Sequence, residues 1–233
     1  MIANIRMWML ALRTLCTLCT LCVFSAQAQM KPEYDMGRMQ LTLLNAQGEA
    51  PTDAEAKAQA DALRSLLESG KIAAAGPVTE AGNLRGLVLV KTEKPEEAAA
   101  IIAELPLVKA GKLKPEPLTW FAARAFIKPI TKVEKETRYV FGMLVAGPAT
   151  GHTPEEIKTI QAGHMAHINT MHEAGKLAIA GPFAGGGARR GVFLFKLDSL
   201  EAAQALAADD PAVKAGRLKL ETFYWTVPTG IFP

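Results

Sequence analysis

Cysteine is missing from this chain beyond residue 22. Its three copies, Cys16, Cys19 and Cys22, all fall within the first 28 residues. The remainder therefore holds no disulfide, no thiolate metal site and no cysteine nucleophile. A dense face of one charge is also lacking. The chain carries 26 basic and 23 acidic residues, and setting aside Arg6 and Arg13 of the leader leaves 24 against 23. Charges of both signs alternate along the predicted helices, so nucleic acid is excluded as a partner. The apolar run from Thr14 to Phe24 is too short to cross a bilayer well. There is no dinucleotide fingerprint, haem-attachment motif or metal-ligand set, so no cofactor and no metal is expected.

The leader does have an order. A basic start is followed by the apolar run and then by Ala26-Gln27-Ala28, the small-x-small pattern of a signal peptidase site. Residues 1–28 read as a cleaved secretory signal. The mature protein is expected in a bacterial periplasm or outside the cell, without membrane contact after cleavage. A domain exported without disulfides must be stable through its core, and copies of about 90 residues can bury enough for that.

The remainder reads as one small domain used twice. Subtracting 105 from a position in the second half returns its counterpart, with no slip expected. Gly175-Lys176 maps on Gly70-Lys71, Gly181-Pro182 on Gly76-Pro77, and Trp225 on Trp120. The expected division is 36–122, a linker over 123–137, and 138–228. In the second copy Tyr139–Ala146 is apolar and β-rich. Thr153-Pro154-Glu155-Glu156 starts a helix that stops at Gly175. A short strand ends at Gly181-Pro182, and another runs from Gly191 to Leu197. Ser199 caps a second helix, which Asp209-Asp210-Pro211 ends, and Leu218–Val227 is the last strand. The order β-α-β-β-α-β predicts an α+β fold of two ferredoxin-like domains in tandem. Helices cover one face of each sheet. The other faces are also apolar, so the two sheets are expected to pack face to face as an intrachain pseudo-dimer, a dimeric α+β barrel.

With these elements in place, the second copy resembles the YCII-related domain family. The resemblance rests on His164, Gly175-Lys176-Leu177, Gly181-Pro182, the glycine loop, Ser199-Leu200-Glu201-Ala202-Ala203, Asp210-Pro211, Gly216 and the aromatic final strand. It covers essentially the whole second copy and matches the first less specifically. It implies the same barrel and a small cleft holding a His–Asp pair, His164 with Asp210. Some relatives act in dehydrochlorination of small ring compounds, and wider barrel relatives include isomerases and monooxygenases.

The residues themselves point the same way without settling it. His164 lies in an apolar stripe with Ile157, Ile160, Ile168 and Met171. An imidazole there needs a hydrogen-bond partner. Asp210, at the expected end of the second helix, is the candidate. A carboxylate on one ring nitrogen would orient the ring and leave the other nitrogen for a ligand. A core histidine satisfied by a carbonyl would look identical from spacing. Gln59 and Leu105 stand at the first copy's positions, so at most one competent site per chain is expected. His167, three residues after His164, is a candidate second contact or metal ligand. Gly186, Gly187, Arg189 and Arg190 form a flexible, basic hairpin that could close on an anion. A solvated hairpin is the plainer reading. The leading expectation is a small-molecule cleft, with proton transfer by His164 in an elimination or isomerisation. The alternative is a non-catalytic binding or structural module.

Overall fold

The computed structural model describes residues 35–233. The expected signal segment, 1–28, lies outside the described residues. The first half contains β1 (Met36–Ala46), α1 (Asp53–Glu68), β2 (Ala74–Thr79), β3 (Leu84–Val90), α2 (Pro95–Ala103), α3 (Pro106–Lys109) and β4 (Leu113–Ala123). The second half repeats that order with β5 (Glu136–Ala146), α4 (Pro154–Glu173), β6 (Leu177–Pro182), β7 (Arg189–Phe195), α5 (Leu200–Ala208), α6 (Pro211–Lys214) and β8 (Leu218–Pro228).

All eight strands join one antiparallel sheet in the order β4-β1-β3-β2-β8-β5-β7-β6. The two four-stranded halves meet edge to edge where Val78 pairs with Trp225 and Thr79 with Tyr224. At the opposite edge Trp120 bridges Phe183, and the Trp120 indole N–H donates to the Gly181 carbonyl at 3.1 Å. The sheet thus bends almost into a closed barrel, the α+β barrel that the apolar second faces called for. Its interior is built from alternate strand positions such as Leu41, Leu43, Phe141, Met143, Val192 and Leu194, together with Trp120 and Trp225. The intervening positions of the second half, among them Val140, Leu144, Phe193 and Phe195, face outward and pack beneath the helices as a separate cluster.

The glycine of each Gly-Pro turn has a definite task at these two edges. A β-carbon on Gly181 would lie 1.8 Å from the Phe121 carbonyl oxygen, and one on Gly76 would lie 1.8 Å from that of Thr226. Only glycine lets the last strand of the other half come this near.

The single offset of 105 does not hold throughout. Ala46 pairs with Leu113, and Ala146 pairs with Leu218, so the first strands correspond at an offset of 100. The second half gains its five extra residues just after that strand. The connection over 147–152 is one residue longer than that over 47–51, and α4 has 20 residues where α1 has 16. The second helix ends at Ala208, where the Asp209-Asp210-Pro211 run places its end. Asp210 has a further part: with proline at the first helical position after it, it caps a new short helix, α6.

Both long helices begin with capping boxes, Thr52 with Glu55 and Thr153 with Glu156. Glu55 also meets Lys112 at 2.5 Å. The hydrogen bond from Lys112, then those from Thr52, hold the Glu55 pKa down at about 2. A depressed carboxyl contributes stability above its unfolded pKa and loses it as pH falls through the folded one. The stability difference between wild type and Glu55→Gln should therefore be constant above about pH 5 and shrink towards pH 2. Urea unfolding of both proteins across that range reads it.

Candidate functional site

The longer loop borders a sizeable cavity. It measures about 630 Å³ and lies between α4 and the outer face of the second half's sheet. Gly147, Ala149, Thr150 and Gln161 line it at that end, and Leu144, Leu177 and Phe193, from the cluster beneath the helices, form its apolar floor. α4 is held over it at few points. Only His164 and Met171 of this helix are buried. It comes close to α6 at Gly163, where a β-carbon would lie 2.8 Å from the Pro211 ring. The small residue lets α4 cross the start of α6, and the crossing sets Asp210 beside His164.

His164 Nδ1 and Asp210 Oδ2 are 2.7 Å apart. Asp210 is fully buried, and its Oδ1 accepts the Ala212 backbone N–H at 2.8 Å. With both carboxylate oxygens accepting, a hydrogen lies on Nδ1, so in its neutral form the ring presents a bare Nε2. The ring stacks on Phe193 with centroids 5.8 Å apart. It keeps 9% of its surface exposed and borders the cavity. Asp209, next in sequence, has no such place. It bonds Lys214 at 2.9 Å on the surface, and that bond holds its carboxyl below the usual range.

The first half shows what the pair replaces. There the Gln59 carboxamide oxygen itself accepts the Leu107 N–H at 3.1 Å, the counterpart of the Ala212 N–H. Leu105 stands at the cap in place of aspartate. One side chain thus satisfies in the first half the backbone donor that the second half satisfies through an ionisable couple.

The other expected contacts lie elsewhere. Arg189 is turned away from the cavity and grips Glu116 of the first half through two bonds, at 2.8 and 3.0 Å. His167 is likewise off the cavity, its Nε2 set against the Leu206 carbonyl at 3.1 Å. Gly186 and Gly187 are not among the lining residues. Arg190 does line the cavity, while its guanidinium bonds the Gly186 carbonyl at 2.7 Å. Among the described residues no group of three His, Cys, Asp or Glu could hold a metal ion. The apolar stripe also needs correcting. Ile157 is 38% exposed, and the cavity-facing positions of α4 are Gln161, His164, Met165, Ile168, Asn169 and His172. That face follows helical spacing and was legible in principle, but its polar members do not register in a search for apolar periodicity. Thr150 and Arg217, from loops, gave no sequence signal.

The YCII-related domain model matches residues 140–224. No curated protein matches the chain. Solved structures share the fold. A chlorite dismutase variant from Candidatus Nitrospira defluvii superposes with a TM-score of 0.54 at 12% identity, over 83% of this chain and 92% of that one. A haem-binding protein from Thermus thermophilus gives 0.50 at 16% identity, over 83% and 91%. These neighbours are dimeric α+β barrels, and at such identities they speak to the fold alone.

Proposed function

We propose that the second half carries a small-molecule site in which His164 takes a proton from a bound ligand and returns it, with Asp210 orienting the ring. The observation carrying this reading is the fixed imidazole. Asp210 holds Nδ1, and the ring borders a mostly apolar cavity large enough for a small cyclic compound. A positioned base of this kind contributes about 10²–10⁴-fold to a proton transfer. Elimination and isomerisation both require that step. Phenylpyruvate, with a ring, a carboxylate and an acidic C–H, is a suitable probe. Deuterium uptake at its methylene carbon should be faster with the protein than in buffer alone. His164→Gln, still folded, should lose about 100-fold of that acceleration. Equal uptake with wild type and variant would remove His164 from the chemistry.

A second reading comes from the haem and chlorite dismutase names of the fold neighbours. The donor set here fits such a group: one imidazole nitrogen free of protein partners, its ring fixed by a carboxylate, over an apolar floor. His164 would hold the iron through Nε2, and Asp210 would fix the ring. A bound haem would supply redox chemistry. Haem titration decides between the readings. A Soret band that His164→Gln abolishes supports haem, and its absence leaves the acid–base reading.

The leader supports export as part of this proposal, with the site working outside the cytoplasm. Among the described residues no helix is long and apolar enough to cross a membrane.

A further inference from the structure

The cavity lining contains no aspartate or glutamate, but it does contain Arg190 and Arg217. Asp210, which holds the cavity-lining His164, has both oxygens engaged, by His164 and the Ala212 N–H. Arg189, the other arginine of the hairpin, is neutralised by Glu116. Arg190 bonds only a carbonyl. Arg217 has no side-chain partner among the described residues. An unneutralised guanidinium pair at the edge of an apolar cavity is an arrangement that selects an anion.

The topology brings these two arginines to the same end. β5 finishes at Ala146, whose N–H bonds the Ala188 carbonyl on one side, while the next N–H, that of Gly147, bonds the Arg217 carbonyl on the other. The two arginines therefore flank the end of β5 from its two neighbouring strands, about 10 Å apart at the backbone. Phe193, which carries the stacked His164, lies three residues along β7 from Arg190. Three strand residues span about 10 Å. That span leaves room for a carboxylate at the arginines and one ring beyond it. Between the two ends the walls are Leu144, Phe193 and Ile168.

We infer that the site takes a carboxylate with a single apolar ring. The carboxylate lies between Arg190 and Arg217, and the ring body reaches His164. This deepens the proposed site and rests on its cavity, but not on proton transfer occurring there.

Calorimetric titration of the whole protein tests it with three probes: benzoate, benzamide of the same shape without the charge, and formate without the ring. Benzoate should bind at least tenfold more tightly than benzamide, and formate should not compete at equal concentration. Arg217→Gln and Arg190→Gln should each weaken benzoate about tenfold and leave benzamide unchanged. The deuterium assay reads proton transfer separately, so a failure of that reading is distinguishable from a failure of carboxylate binding. Equal affinity for benzoate and benzamide, benzoate binding unaffected by both arginine substitutions, or no binding of either ring compound would overturn the assignment.

Discussion

Asp210→Ala is expected to be among the most destabilising single changes in this molecule, by about 3 kcal/mol. Two donors lose their acceptor at once in a site closed to water. His164 Nδ1 is left facing a void, and the Ala212 N–H loses its cap at the start of α6. Asp210→Asn separates the two roles. Its carboxamide oxygen can still accept from Ala212, so most of the stability should remain, with a loss of about 1 kcal/mol. Its amide N–H₂, however, donates towards Nδ1 and drives the ring hydrogen onto Nε2. A folded protein without deuterium-exchange activity is the expected result. The first half offers an internal control. Gln59→Ala also removes an acceptor from a buried backbone N–H, that of Leu107, so it should cost stability but leave the site intact. Urea midpoints for the four proteins, beside their exchange rates, read both effects. If Asp210→Ala were no more destabilising than an average surface substitution, the buried couple would not exist in solution.

Gly181→Ala should cost a comparable amount, about 3 kcal/mol, for a different reason. The added methyl group would meet the Phe121 carbonyl oxygen at 1.8 Å, and backbone cannot give way as a side-chain tip does. Relief requires β4 and β6 to part. That would also break the Trp120 indole bond to the Gly181 carbonyl. The equivalent Gly76→Ala meets the Thr226 carbonyl and should open the opposite edge. Gly187→Ala is the fitting comparison, because nothing lies within 4 Å of its added carbon, and it should be close to neutral. Tryptophan fluorescence should report the opening directly, since Trp120 and Trp225 sit at the two edges, 2% and 1% exposed. Unchanged stability and emission in both seam variants would mean the barrel does not close in this way.

Much of the fold was legible because its signals are local. Apolar strands, Thr-capped helices and Gly-Pro turns announce themselves, and both faces of the strands are apolar because one lines the barrel and the other underlies helices. The two sheets joining by their edges was not legible, since nothing in Val78 or Tyr224 names its partner strand. The slip between the halves was hidden because the matched positions all lie after the point where it occurs. Asp210-Pro211 was read only as a helix stop because a stop and a start can use the same two residues, and here they serve as both. At the site, His164 and Asp210 were found through the family resemblance and the place of the imidazole in an apolar stripe, and their joint absence from the first half agreed with it. Arg189 and Arg190 sit at a register shift between β5 and β7, where Leu144 pairs with Gly191 and Val145 with Arg189, so strict alternation from Phe193 would have put the wrong arginine on the cavity side. Arg217 belongs to a loop whose place is fixed by the backbone bond to Gly147, a contact across 70 residues of chain.

The account turns on which ring nitrogen of His164 meets the cavity without a hydrogen. Long-range proton–nitrogen NMR correlation on the ¹⁵N-histidine-labelled protein measures this for the neutral ring. The prediction is hydrogen on Nδ1 and a bare Nε2, with the Nε2 signal alone moving when benzoate is added, and the two nitrogens exchanging roles in Asp210→Asn. Hydrogen on Nε2 in the wild-type protein, or a ring whose signals ignore both the substitution and the ligand, would contradict it.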